Sequence, residues 1–260
     1  MHVVHGRSLE KLGQPEAARR AYADALQVFP DSWHAHNGSG VILKREGAYQ
    51  KAMFHYERAL EIFPGATSVR TNLGALYRAL GNEKQAESEF RIVLRSKPDD
   101  PGANNNLGNI LRRRGESDSA KVHYERALAT EPDLAQANQN LGDILFEKED
   151  YAGSSRYYLR ALDSRPDKPE IYWSLARAYE AAAELGLAEQ SYRDAIRVDP
   201  SFPNAYFSLA TMLYGLHRWP ETIELFEHFL TIWDDDPKFV TFAQGRIKAS
   251  NDWIARTSKK

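Results

Sequence analysis

The residues best suited to chemistry in this chain sit in a hexapeptide that occurs twice, HYERAL at His55–Leu60 and at His123–Leu128. Histidine and glutamate serve as general acids and bases, and tyrosine and arginine can orient or neutralise a reacting group. On a helix, however, His55 and Glu57 are two residues apart and point to different faces, so they cannot form a catalytic pair. His34 and His36 diverge for the same reason, and His2 and His5 fall in a terminal turn. A metal site needs three or four converging ligands, which neither pair supplies. No Gly-rich phosphate loop and no serine nucleophile elbow is present. Asp99-Asp100 and Asp234-Asp235-Asp236 fall between helices, where the next helix dipole favours acidic caps. The expectation is a protein with no catalytic residues, no metal and no cofactor.

The 260 residues are 42% hydrophobic and 27% charged, which is the composition of a folded, soluble chain. A formal net charge of −2 argues against a general nucleic-acid binder, which is usually basic. No apolar run reaches the roughly 18 residues that a membrane span needs, and no signal peptide opens the chain. Membrane insertion is therefore not expected. Cysteine is absent, which removes disulfides and thiolate chemistry and fits either redox compartment. The compartment stays open, with the cytoplasm slightly favoured over the periplasm.

What positions the two hexapeptides is a period. Pro30, Pro64, Pro98, Pro132, Pro166 and Pro200 stand 34 residues apart, so the 68 residues between the HYERAL copies are two periods. Eight residues before each proline comes an aromatic: Tyr22, Tyr56, Phe90, Tyr124, Tyr158 and Tyr192. Four before the aromatic stands Ala18, Ala52, Ala86, Ala120, Ser154 or Ala188, and three after it Ala25, Ala59, Val93, Ala127, Ala161 or Ala195. The first half of each unit carries Leu73-Gly74, Leu107-Gly108 and Leu141-Gly142, then Leu175-Ala176 and Leu209-Ala210. Apolar residues recur at three- and four-residue steps, so each unit reads as two helices. Gly13, Gly47, Gly81 and Gly115 stand where the first helix must end, because glycine adopts the left-handed C-cap without steric cost. The small columns let two antiparallel helices approach closely, and the aromatic column fills the space beside them.

With this period, the leucine–glycine pair and the alanine–aromatic–alanine–proline spacing, the chain resembles the tetratricopeptide repeat family. The family's tryptophan position is poorly kept, held by His36, Arg70, Asn104, Asn138, Tyr172 and Tyr206. The resemblance implies an all-α, right-handed superhelical solenoid of about seven helix–turn–helix repeats plus a C-terminal capping helix. The repeat frames are approximately 1–32, 33–66, 67–100, 101–134, 135–168, 169–202 and 203–237, with the cap at 238–256. Met1 falls at the third position of its frame, so a chain cut or trimmed from a longer one is expected.

The resemblance further implies that the first helices line a concave groove that holds an extended peptide. Family groove positions carry Asn72, Asn106 and Asn140 in one column, with Asn105, Gln139 and Asn109 beside them. A side-chain amide both donates and accepts, so an asparagine column suits a peptide backbone of any sequence. It is similar to the ladder in the repeat arm of O-GlcNAc transferases, though it covers three repeats here. Arg78, Arg112 and Arg113 are expected to meet acidic side chains or a free carboxylate, and Lys44 and Arg45 hold the same groove positions in the second repeat. Phe146, Trp173, Phe207 and Tyr214 also take groove positions, either as anchors for a partner's apolar side chain or as packing against the next helix or cap. His55, Glu57 and Arg58 are expected on the second helix, towards solvent.

The leading expectation is a non-enzymatic protein-interaction scaffold. Two other readings stay open. One is a self-assembling structural protein, since residues 133–237 hold 9 basic and 19 acidic residues while 238–260 hold 6 and 1. The other is the targeting arm of a larger enzyme, such as a glycosyltransferase.

Overall fold

The structure, a computed structural model, describes residues 2–258, and its contacts divide the chain into two units, 1–132 and 133–260. In the first unit the first helices are α1 (His2–Lys11), α3 (Trp33–Arg45), α5 (Thr67–Ala79) and α7 (Pro101–Arg113). Each packs on the second helix that follows it: α2 (Pro15–Val28), α4 (Tyr49–Ile62), α6 (Glu83–Ser96) and α8 (Ser117–Thr130). First helices of successive repeats also touch, α1 on α3, α3 on α5 and α5 on α7, which makes one continuous face of them.

The second unit repeats the scheme with α9 (Ala135–Glu147) on α10 (Tyr151–Ser164), α11 (Pro169–Ala181) on α12 (Leu185–Val198), and α13 (Pro203–Gly215) on α14 (Trp219–Ile232). The longer α15 (Pro237–Thr257) packs on both α14 and α13, the place a next first helix would take. No strand occurs among the described residues.

Each hairpin closes on the turn its sequence dictates. Gly13, Gly47, Gly81 and Gly115 adopt φ between 69° and 82°. In the next three repeats the same turn is kept without glycine, by Glu149, Ala183 and His217 at φ of 61–62°. A side chain in that region costs about 1 kcal/mol, so the packing of the repeat overrides the local preference.

In the first five hairpins the aromatic column packs against a glycine of the partner helix. A Cβ on Gly74 would stand 2.7 Å from the Phe90 ring, and one on Gly108 2.6 Å from Tyr124. Most of the phenols then donate back to the first helix of their own repeat. Tyr22 reaches Glu10 Oε2 at 2.6 Å and Tyr124 reaches Asn109 Oδ1 at 2.8 Å. In the second unit Tyr158 reaches Asp143 Oδ1 and Tyr192 reaches Glu180 Oε2, both at 2.7 Å. Burial, with an adjacent carboxylate, holds Tyr22, Tyr158 and Tyr192 far above their ordinary range.

The column that departs from the family's tryptophan forms a joint of its own. His36 Nε2, Arg70 Nε and Asn104 Nδ2 donate to the carbonyls of Pro30, Pro64 and Pro98, which end the preceding repeats. Each also reaches 19 residues ahead into its own second helix: His36 to His55 at 2.9 Å, Arg70 to Glu89 at 2.9 Å, Asn104 to His123 at 2.8 Å. This corrects one expectation. Glu57 and Arg58 are exposed, but His55 is half-buried because its ring supplies a partner for His36. The chemistry-like hexapeptide is scaffold, and its histidine is a structural hydrogen-bonding group.

The His36–His55 contact has only one neutral arrangement. Pro30 O can only accept, so His36 carries its proton on Nε2 and offers Nδ1 as acceptor, and His55 Nδ1–H must donate. A proton on His36 Nδ1 would face that N–H. Burial lowers the pKa of both rings, helped at His55 by His36; at His36 the Pro30 carbonyl opposes it, Arg58 adds to it and Asp31 opposes it more weakly. The unfolded histidines take up protons near pH 6.5 while the folded ones resist, so this stability is present above that pH and is lost on acidification. The change His36→Asn copies the Asn104–His123 pair, whose single ring can stay a donor when charged. The thermal midpoint of the parent should therefore fall further between pH 7.5 and 5.5 than that of His36→Asn. Equal falls in the two proteins would remove this account.

Candidate functional site

In the first unit the first-helix face carries a cation in the same last turn of three successive helices: Lys44 on α3, Arg78 on α5 and Arg112 on α7. Helix C-termini favour cations there. The cations are nonetheless crowded. Burial, then Arg113, lowers the pKa of Arg78, and burial, then Arg78 and Arg45, lowers that of Lys44. Arg78 is half-buried, and its Nε is buried without a hydrogen-bond partner. Arg113 is exposed and bridges to Glu83 at 2.9 Å.

The amides beside this strip divide into several roles. Asn72 Nδ2 donates to Asn37 Oδ1 at 2.9 Å, which joins α5 to α3. Asn37 was not among the sequence candidates, although it stands one place before the asparagine column. Asn106 Nδ2 donates to Gly102 O at 2.8 Å within its own helix, and Asn109 accepts from Tyr124. Asn105 is 6% exposed with a buried, unpartnered Oδ1, so its side chain is not offered to solvent.

In the second unit Gln139 and Asn140 are half-buried on α9. Trp173 is half-buried on α11, and its indole donates to Ser208 Oγ at 2.9 Å. The Arg177 guanidinium lies over both the Trp173 ring at 4.7 Å and the Phe146 ring at 4.8 Å. Phe207 is ringed by Phe226, Phe229, Phe239 and Phe242, with centroids 5.1–5.8 Å away. It is thus packed between α13, α14 and α15. Tyr214 leans on Trp219 at 5.1 Å and under Arg246 at 4.3 Å. Between these groups opens a cavity of about 360 Å³ lined by Trp173, Asn204, Phe207, Phe229, Trp233 and Phe239.

Among the described residues no three His, Cys, Asp or Glu side chains come together as a metal group. No described helix is long and apolar enough to cross a membrane.

Family models described as Tetratricopeptide repeat match residues 3–67 and 174–237, 43–107 and 105–130, and one described as TPR repeat matches 142–182. The chain belongs to the tetratricopeptide repeat family. No curated protein sequence matches it. Among solved structures, one chain of the APC/C hetero-tetramer Cut9–Hcn1 matches with a TM-score of 0.76 and 14% identity, over 96% of this chain. This chain spans about half of that one, 48%. PilF of Pseudomonas aeruginosa matches with a TM-score of 0.72 and 17% identity, over 82% of this chain and 97% of PilF. YrrB, described as a TPR protein with an unusual peptide-binding site, matches at 0.53 and 17%, over 71% of this chain and 95% of YrrB. At these identities the likeness is one of fold. The tetratricopeptide repeat is typically a non-catalytic platform for protein–protein interaction, and its helical hairpins account for both units.

Proposed function

We propose that this tetratricopeptide repeat protein is a non-enzymatic scaffold that holds an extended, acidic peptide segment of a partner on its first-helix face. The observation that carries the reading is Arg78, a half-buried cation with an unpartnered Nε and cations rather than carboxylates as its strongest charged neighbours. A buried charge needs a counter-charge, and a guanidinium fork matches a carboxylate in two parallel bonds. Lys44, half-buried and crowded by Arg78 and Arg45, extends the same demand along the strip, Arg112 lines it, and Arg113 joins it by exchanging Glu83 for the ligand.

In the first unit Asn72 and Asn106 take the peptide backbone; in the second, Gln139 and Asn140 take the backbone of a segment held there, and Trp173 and Tyr214 its apolar side chains. The partner is a protein, with acidic residues or a free carboxylate, and neither a nucleic acid nor a bilayer. The peptide site named for YrrB supports the ligand class by analogy of fold alone.

Two variants separate the roles. Arg78→Gln with Arg112→Gln should weaken acidic peptides on a displayed array about tenfold, the loss of one or two charge-assisted pairs. It should leave neutral peptides unchanged. Asn106→Ala with Asn140→Ala should weaken acidic and neutral peptides alike. If neither variant alters the array, the first-helix face is not the binding surface.

A further inference from the structure

The cavity of the second unit is built unlike the rest of its face. Five of its lining side chains are aromatic: Trp173 on α11, Phe207 on α13, Phe229 on α14, Trp233 following it, and Phe239 on the cap. Asn204, exposed, is a polar group of its lining. A volume of about 360 Å³ lies at the small end of ligand pockets and takes one large side chain. Aromatic walls from four different elements give an entering ring edge-to-face partners on several sides.

The charge beside it sets the second half of the ligand. Arg177 is exposed and stacks on Trp173, a wall of the cavity, and on Phe146. Among the described residues it forms no ion pair, in a stretch where 19 acidic residues outnumber 9 basic ones between 133 and 237. Glu180, one turn further along α11, accepts from Tyr192. The guanidinium is held in place by two rings while its N–H donors stay available.

From this we infer that the second unit reads a two-residue signature: a bulky apolar side chain, best an aromatic one, seated in the cavity, with a carboxylate next to it on Arg177. The two subsites share one indole ring, that of Trp173, and lie within reach of two consecutive side chains of a bound peptide. The inference rests on the peptide-binding reading but uses none of the residues of the first unit. Arg78→Gln with Arg112→Gln therefore leaves this site intact, and each claim can fail alone.

The test uses the full chain and ten-residue peptides of glycine and serine carrying Phe-Asp, Ala-Asp, Phe-Asn or Phe-Lys at the centre. Affinity is followed by calorimetry and by tryptophan emission. Phe-Asp should bind and shift the emission, and replacing either residue should weaken it about tenfold, as expected for loss of an anchor side chain. In the exposed-site variant Arg177→Glu the order should reverse, with Phe-Lys preferred over Phe-Asp. An unchanged order in Arg177→Glu overturns the charge half. Equal binding of the Ala-Asp and Phe-Asp peptides overturns the cavity half. No binding of Phe-Asp at millimolar concentration overturns both.

Discussion

Replacing Tyr124 by alanine lowers the stability of the first unit by about 4 kcal/mol, in the range of aromatic-to-alanine changes in closed cores. The ring is fully buried and lies where Gly108 has no Cβ, so no neighbouring side chain can swing in to fill the space. A cavity that cannot collapse costs the most. The milder Tyr124→Phe keeps the ring and loses the phenol's bond to Asn109, and should cost about 1 kcal/mol. Urea midpoints of the full chain, followed by far-ultraviolet circular dichroism, order the three proteins. A loss below about 1 kcal/mol for Tyr124→Ala would mean that the α7–α8 seam repacks, against the usual rigidity of close-packed interiors.

The second large effect is Phe207→Ala, with an expected loss of about 3 kcal/mol in the second unit. Phe207 is one ring among four others, two of which, Phe239 and Phe242, belong to the cap. Removing it takes away the group that α13 shares with α14 and α15 together. Limited proteolysis should then cut faster in the connection around Asp234–Asp236, before global unfolding. Tyr214→Ala, which keeps that cluster, should not expose the connection. If the cap stays protected in Phe207→Ala, its docking rests on Ala243 and Ile247 instead.

The contrast between these two residues explains how much could be read in the sequence. Tyr124 belongs to a column in which every constraint is local: its glycine, its small neighbours and its proline all recur within one period. Such constraints leave letters at fixed spacing, and the hairpins follow from them. Phe207 also has a fixed place in its repeat, but its surroundings come from residues 19 to 35 positions later, where the period breaks. The face and a helix to cover it were legible, and which rings of that cap meet Phe207 was not.

The same limit applies to Asn105, whose groove position gives no sign that its side chain is buried, and to His55, whose partner His36 stands in a column the family normally gives to tryptophan. Arg177 was missed because a lone arginine on a helix reads as a solubilising charge until two rings are found beneath it. Glu149, Ala183 and His217 were missed because nothing in those residue types marks a left-handed turn.

The proline-carbonyl joint has a consequence for the chain as a modular object. In the first unit His36, Arg70 and Asn104 each connect only the turn just before them and the helix just after. No joint skips a neighbour. Cutting out one 34-residue module there, or splicing in another, would leave every such donor with an acceptor of the same kind at the same place. Three different side chains already fill that socket, with three different partners, so the connector tolerates changes of chemistry that a bespoke interface would not. The chain can therefore be lengthened or shortened as a string of interchangeable parts, while specificity is written on the faces that the connectors leave free.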